Sequence, residues 1–509
     1  MNDTEQASEK MPAAKTGEHH KFTRDIIWVG IAQLCSSIII GLGTMPALTK
    51  FYPSNIYGVW AQIQITYALL SSLIGMQLGL AVIKFLSGDS DKAKRRQALG
   101  AMLLAITVIS IIFALLADLF ASQLSVFLFN NANYSDFIRL TIAWIIVSAY
   151  FSFFGSYLRA RGKIKLFSFQ QILISFLTLA IVTILATQGV RLEWVVISVI
   201  GVWVLFTLLF FIMVVDEVGF PLPNVSGLTT YLTFAVPQIP GAILLWIVGS
   251  SDRYFITHFL GLSKTGIYTS SDTLGGLIGL FYGPIQFVLY PMLARLWEDK
   301  RDINIKNYME YSTKLYLTLA IPAAAGIALL SQPLLRLVTT SQYLLGNTLV
   351  FLIAAGSLFL GIYNIDVNVI LLSKHSRLLP LMISTAAVIN VVTNIILIPH
   401  IGMLGAAISN IASFFALALI VGIWARNQVH YGLDFKYLLK VIVSTLVMAI
   451  LVYFIKPHGA LKIFIAVLAG VAVFGISLIV LKAFSKQDKE LIKNIWQGLI
   501  PIKLNNSKQ

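Results

Sequence analysis

The chain has 509 residues, of which 58% are apolar or aromatic and only 12% are charged, and its mean hydropathy is +0.83. Soluble domains carry about 25% charged residues, so this composition leaves too little polar surface for a water-soluble fold of this length. The 37 basic against 22 acidic residues, net +15, must therefore be weighed against membrane topology before nucleic acid is considered as a partner.

In chain order, residues 1–25 form a polar tail without the apolar region or small-residue cleavage site of a signal peptide. Apolar runs bounded by charge, Pro or Gly follow at 26–48, 57–83, 98–117, 138–158, 167–187, 193–214, 229–250, 266–290, 315–332, 346–372, 379–398, 404–424, 438–455 and 461–481. Each approaches or exceeds the roughly 20 residues that cross a bilayer as a helix, so the sequence predicts an all-α polytopic membrane protein with fourteen spans. Spans 1–6 (26–214) and 7–12 (229–424) form two halves, spans 13 and 14 (438–481) follow, and 482–509 is a tail. In that tail Leu491, Ile492, Ile495, Trp496 and Leu499 recur at helical spacing, the pattern of an interfacial amphipathic helix.

Cytoplasmic loops carry the excess of Lys and Arg. With both termini inside, the inner segments hold 29 of the 37 basic residues, and the outer ones hold Lys50, Arg139, Arg191, Arg253, Lys264, Arg336, Lys456 and Lys462. A miscounted span would destroy that asymmetry, so the positive charge reads as topology, and no nucleic-acid partner is implied. The loops are too short for a soluble domain. The single cysteine, Cys35, excludes an intramolecular disulfide and a cysteine metal cluster, the scattered histidines give no metal spacing, and no phosphate-binding G-x-x-x-x-G-K-[ST] loop is present.

The turn entering span 2 contains Ile56-Tyr57 and the turn entering span 8 contains Ile267-Tyr268. Six spans separate the pairs, so the halves share one orientation, as in transporters built from parallel repeats around a central site.

The stretch from Ala387 to Ser409 carries Asn390, Asn394, Pro399, Gly402, Gly405, Ala406 and Ala407, and it resembles the span 11–12 signature of the polysaccharide (O-antigen, Wzx-type) flippases. The segment Ser251-Asp-Arg-Tyr-Phe-Ile-Thr-His-Phe-Leu-Gly and the two turns fit the same family. Fourteen spans in two six-span bundles also look like the wider multidrug, oligosaccharidyl-lipid and polysaccharide exporter superfamily. The resemblance implies a multi-pass protein of a bacterial-type inner membrane, with two six-helix bundles around a central cavity. It implies a flippase rather than an enzyme, acting as a monomer on a polyprenyl-pyrophosphate-linked oligosaccharide by alternating access. No cofactor is implied beyond a coupling proton or sodium ion, and the partners are membrane lipids and the polysaccharide polymerase and chain-length machinery. A multidrug or cation antiporter of the same superfamily is the alternative. A membrane-embedded polymerase is less favoured, because the first outer loop, 49–55, lacks a carboxylate.

Several polar residues within spans are functional candidates, since a charge at a helix centre costs about 2.5–3.5 kcal/mol on insertion scales. Asp272 (span 8), Asp366 (span 10) and Asp252 (end of span 7) are coupling candidates. Asn364 and Asn368 flank Asp366 in sequence, and Asn390 and Asn394 share one face of span 11 at i and i+4. That face serves either as a cavity lining or as a hydrogen-bonded helix contact. Arg253 has the forked geometry for phosphate, with Lys84, Arg24 and Arg336 as weaker phosphate candidates. Asp252 and Arg253 are sequence neighbours, so each is expected to need a different partner. Pro237, Pro240 and Gly241 in span 7, Pro284 in span 8 and Pro322 in span 9 mark kinks that permit movement.

Overall fold

A computed structural model describes residues 28, 30 and 32–483 except 300, 301, 345 and 374. The polar N-terminal tail with Arg24 and the amphipathic segment around Trp496 lie outside the described residues.

The spans are α1 (Ala32–Phe51), the bent pair α2 (Ser54–Ile74) and α3 (Leu78–Leu86), and α4 (Lys92–Leu119). A short α5 (Ala121–Phe129) leads to α6 (Ser135–Ala160), α7 (Ile164–Thr187) and α8 (Leu192–Val218). The second half begins with α9 (Leu228–Ser250), passes through a short α10 (Asp252–Leu260), and continues with α11 (Leu262–Glu298). It is completed by α12 (Asp302–Val338), α13 (Asn347–Leu372), α14 (Leu379–Ile401) and α15 (Met403–Val429), after which come α16 (Phe435–Ile455) and α17 (Ala460–Val480). Among the described residues, thirteen helices are long and apolar enough to cross a membrane by themselves, and the α2–α3 pair supplies a fourteenth span if counted as one. The expected all-α fold of two six-span halves plus two further helices is therefore present.

Local chemistry sets several helix ends. Asp91 caps α4 by accepting the backbone N–H groups of Ala93 at 2.8 Å and Lys94 at 3.2 Å. Asp434 caps α16 through the Tyr437 N–H at 3.0 Å. That bond is the main reason its carboxyl is held below the usual carboxylate range, with Lys314 adding to the effect.

The bend in span 2 has no proline. Met76 and Gln77 both adopt left-handed backbone, with φ of 49° and 52°, and α3 departs from α2 by 47°. Side chains rarely occupy this region, and each such residue costs of order 1–3 kcal/mol. The break was not legible from the apolar pattern, which runs through it as one continuous span. Where proline was expected to interrupt a helix, α9 has a tighter turn at Val236–Gln238. Pro284 and Pro291 lie within the later part of α11, and Pro322 and Pro333 within α12.

The halves meet where the repeated turns lie. A Cβ on Gly58 of α2 would fall 2.0 Å from the backbone oxygen of Leu262, and one on Gly266 of α11 would fall 2.3 Å from that of Ser54. Backbone thus touches backbone, the close crossing that small residues allow in membranes. The two Ile-Tyr motifs belong to helices packed directly on each other across the halves. Around this crossing Ser54 and Ser263 share a hydrogen bond of 2.6 Å, Thr66 and Tyr254 one of 2.7 Å, and Trp246 donates to the Ile65 carbonyl at 3.0 Å. Gln62 reaches across to Thr257 at 2.5 Å while also donating to the Leu128 carbonyl at 2.9 Å. All of these contacts lie toward the end of the molecule with few basic residues. At the basic end, α3 touches α9 through Phe85, whose ring is 5.4 Å from Tyr231 and 5.7 Å from Phe234.

Gly58→Ala is expected to lower the melting temperature of the purified protein by several degrees, because overpacking costs about 1–3 kcal/mol. Gly201→Ala, whose added Cβ meets nothing within 4 Å, should leave it unchanged or raise it. Equal melting temperatures would remove the glycine crossing as a packing constraint.

Candidate functional site

Behind the crossing lies a buried polar network built by α9, α10, α11, α14 and α15. It begins with Asn394, whose Nδ2 donates to Asn390 Oδ1 at 2.9 Å, an oxygen that also accepts from the Ser251 hydroxyl at 3.0 Å. Asn390 Nδ2 in turn faces Asn410 Oδ1 at 3.0 Å and Ser413 Oγ at 3.2 Å. Asn410 donates to Asp252 Oδ2 at 3.0 Å, and the Tyr268 hydroxyl donates to the same oxygen at 2.5 Å. The other oxygen, Asp252 Oδ1, accepts the Arg253 backbone N–H at 2.9 Å. Asp252 is 1% exposed, and Asn390 and Asn394 are fully buried. The shared face of the two asparagines is a hydrogen-bonded contact joining three helices. Among the described residues of the network, Asn394 Oδ1 and Arg253 Nε lack a hydrogen-bond partner.

Arg253 is the cation of this region. Its Nη2 donates to Asp272 Oδ2 in an ion pair, and its Nη1 lies 3.6 Å from Asp252 Oδ1. Each of the two neighbours thus has a different hydrogen-bond partner, as expected, Asp272 for Arg253 and Tyr268 and Asn410 for Asp252. The guanidinium also curls back beside the preceding carboxylate, although both residues lie in α10. The cluster holds two carboxylates and one guanidinium, so with all three ionised it carries one net negative charge. Arg253 is 8% exposed and already engaged, so phosphate would have to compete with Asp272 for it.

Asp366 stands in a separate place, on α13. It is fully buried; its Oδ1 accepts the Tyr431 hydroxyl at 2.7 Å and its Oδ2 has no hydrogen-bond partner. The Arg426 guanidinium lies 5.8 Å from the centre of the Tyr431 ring. Asn364 and Asn368 do not join this carboxylate: Asn364 Nδ2 donates to the Leu360 carbonyl at 2.7 Å, and Asn368 Nδ2 to the Ile365 carbonyl at 2.9 Å.

The remaining basic candidates are dispersed. Lys84 is exposed, with Nζ 3.8 Å from the centre of the Phe234 ring. Arg336 is exposed at the other end, beside Lys456 and His458 around a cavity of about 380 Å³. The sequence reading missed Tyr268, Asn410 and Tyr431, whose hydroxyls and amide satisfy the buried carboxylates. The spacing of Ser409, Asn410 and Ser413 on one stretch of α15 was the available signal. Among the described residues, no group of three or more His, Cys, Asp or Glu gathers to hold a metal ion.

Residues 48–345 match the family model described as polysaccharide biosynthesis protein. The chain belongs to that family. Among curated relatives it is 23% identical over 345 residues to the probable lipid II flippase MurJ of Haemophilus influenzae, covering 63% of this chain and 67% of the relative. It is 22% identical over 257 residues to the probable low-salt glycan biosynthesis flippase Agl15 of Haloferax volcanii, covering 49% and 53%. The matches thus span about half to two thirds of the relatives' length. Among solved structures, the lipid II flippase MurJ in an inward closed conformation superposes with a TM-score of 0.76 at 17% identity, covering 92% of this chain and all of that one. An inward-facing multidrug transporter of the MATE family superposes at 0.65 and 12% identity, covering 77% and 94%. The fold is the one that these two solved structures share.

Replacing Arg253 with Ala should destabilise the protein by on the order of 3 kcal/mol, because it strands Asp272 and the buried Asp252. The double variant Arg253→Met/Asp272→Leu should recover part of that loss in a thermal-unfolding comparison. If the two changes merely add, the pair is not coupled.

Proposed function

We propose that this protein is a flippase for a lipid-linked oligosaccharide, carrying a polyprenyl-pyrophosphate repeat unit from the cytoplasmic to the outer leaflet of the membrane. The single observation that carries the reading is the arrangement of two six-span halves zipped by hydrogen bonds at the end with few basic residues. The family match and the flippases named among the relatives support the same reading. The basic end is taken as cytoplasmic, so the hydrogen-bonded seam faces outward and substrate enters from the inside. Separation of the seam, with closure at the basic end, would release the glycan outside while the lipid tail stays in the bilayer. An O-antigen repeat unit remains the substrate class proposed.

The multidrug antiporter alternative draws on the shared fold. Against it stands the pairing of Asp272 with Arg253, which takes one acidic group away from any cationic drug.

For coupling, Asp366 is the proposed proton or cation carrier. Its Oδ2 is unpartnered, whereas Asp252 and Asp272 are held by Tyr268, Asn410 and Arg253. The net negative charge of the Asp252–Arg253–Asp272 cluster makes Asp252 a secondary candidate.

Deletion of the gene should cause complete lipid-linked repeat units to accumulate, shielded from membrane-impermeant reagents added outside. Single units accumulating on the outer face would point to a polymerase, and drug sensitivity with normal surface glycan to an exporter. In proteoliposomes Asp366→Asn should abolish the dependence of translocation on an imposed ion gradient. Unchanged coupling would eliminate this carboxylate as the carrier.

A further inference from the structure

The break in span 2 borders a cavity of about 290 Å³ between α2–α3 and α6, toward the basic end. Its walls differ in kind from the apolar interior around them. Ser71 and Ser72 come from the last turns of α2, and Ser148, Ser152 and Ser156 from successive turns of α6. The serines of α6 are spaced by four residues, which places them in one line along the helix.

Most of these hydroxyl protons are already committed. Ser71 donates to the Ala68 carbonyl at 3.2 Å, Ser72 to Leu69 at 2.9 Å, Ser148 to Ile145 at 2.8 Å and Ser156 to Ser152 at 2.8 Å. The oxygens of Ser71 and Ser72 therefore remain as hydrogen-bond acceptors, whereas Ser148 and Ser156, which also line the cavity, are only 4% and 1% exposed. Arg159 supplies the complement. Its Nη2 donates to Ser156 Oγ at 2.9 Å, its guanidinium carbon lies 4.9 Å from the centre of the Phe167 ring, and its buried Nε has no partner. Among the described residues, no carboxylate lines the cavity. Nothing within the cavity neutralises Arg159, in contrast to Arg253.

The backbone adapts to this place. Gly75, Gln77 and Gly79 all border the cavity, and Gln77 is one of the two residues held in left-handed conformation. A Cβ on Gly79 would fall 2.6 Å from Ser156 Oγ, so α3 approaches the serine line because residue 79 has no side chain. Strained backbone of this type concentrates at functional sites, and interrupted helices in transporters mark where substrate binds.

We propose that this cavity is a binding subsite for an anionic glycosyl unit, with sugar hydroxyls donating to the serine oxygens and an oxyanion held by Arg159. A volume near 300 Å³ is at the small end of ligand sites, the scale of a monosaccharide rather than a whole repeat unit. The oxyanion is either a carboxylate on the sugar or the phosphate joined to it. The inference deepens the flippase reading and rests on it for the source of the sugar, but binding is measurable without translocation.

The test uses the full-length protein in nanodiscs and equilibrium binding of three radiolabelled probes: D-glucuronate, D-glucose 1-phosphate and D-glucose. Wild type should bind at least one anionic probe more tightly than glucose. Arg159→Gln should weaken that probe by about tenfold or more, the value of a charged hydrogen bond, and Arg159→Lys should restore part of it. Preference for glucuronate identifies a sugar carboxylate, and preference for glucose 1-phosphate identifies the phosphate. Ser152→Leu, at an exposed position on the cavity wall, should weaken all three probes without lowering the melting temperature. Wild type that binds no anionic probe better than glucose, or variants that bind as wild type does, would overturn the subsite. Parallel translocation of lipid-linked glycan separates the two ideas. Transport that survives in both variants at the wild-type rate removes the subsite and leaves the flippase standing. Wild type that binds the probes but moves no glycan removes the flippase and leaves the subsite.

Discussion

The interaction on which the interior depends is the pairing of Arg253 with Asp272 beside Asp252. In a bilayer there is no water to satisfy a stranded charge, so a guanidinium buried in the second half obliges everything around it to supply partners. Asp252 takes Tyr268 and Asn410, Asn410 takes Asn390, and Asn390 takes Asn394 and Ser251. The chain of obligations fixes how α14 and α15 sit against α9 and α10. Such networks stabilise little compared with apolar packing, but they admit one arrangement where greasy surfaces would admit many.

Two kinds of polar site result, and they differ in how far their demands are met. Around Arg253 nearly every donor and acceptor has a partner inside the protein. At Arg159 Nε and at Asp366 Oδ2, valences stay open. A group left open in a low-dielectric interior costs free energy, so it persists where something else, such as a ligand, ion or water, completes it. The open Arg159 Nε and Asp366 Oδ2 direct attention to the α2–α3 break and to Asp366, whereas the Arg253 cluster keeps open only Arg253 Nε and Asn394 Oδ1 among its described residues.

Much of the architecture was legible in the sequence because a bilayer imposes a length on every apolar run and a bias on every loop charge. The fourteen runs correspond to the observed helices, and the repeated Ile-Tyr turns mark where the halves touch. The rest depended on side-chain direction, which periodicity does not encode. Nothing in the sequence around Met76 and Gln77 announces two left-handed residues, since the apolar run continues through them. Sequence spacing gives Asp252 and Arg253 different partners, and it does not say that those partners are Tyr268, Asn410 and Asp272. Asn364 and Asn368 look like companions of Asp366 but turn back onto their own helix, and Tyr431, in the connection after α15, takes that role.

The crossing of α2 and α11 has a further consequence for how easily the halves part. Glycines contribute no side chain, so separating Gly58 from Leu262 and Gly266 from Ser54 uncovers little greasy surface. The neighbouring bonds, Ser54 with Ser263 and Thr66 with Tyr254, join hydroxyl to hydroxyl, and a water molecule can take either partner with small net change. These hydroxyl pairs hold tightly in distance but weakly in free energy, while the apolar contact across the seam, such as Tyr57 against Tyr343 with ring centres 5.9 Å apart, carries the hydrophobic part. The polar part of that boundary can be exchanged for water many times without a large input of work in either direction.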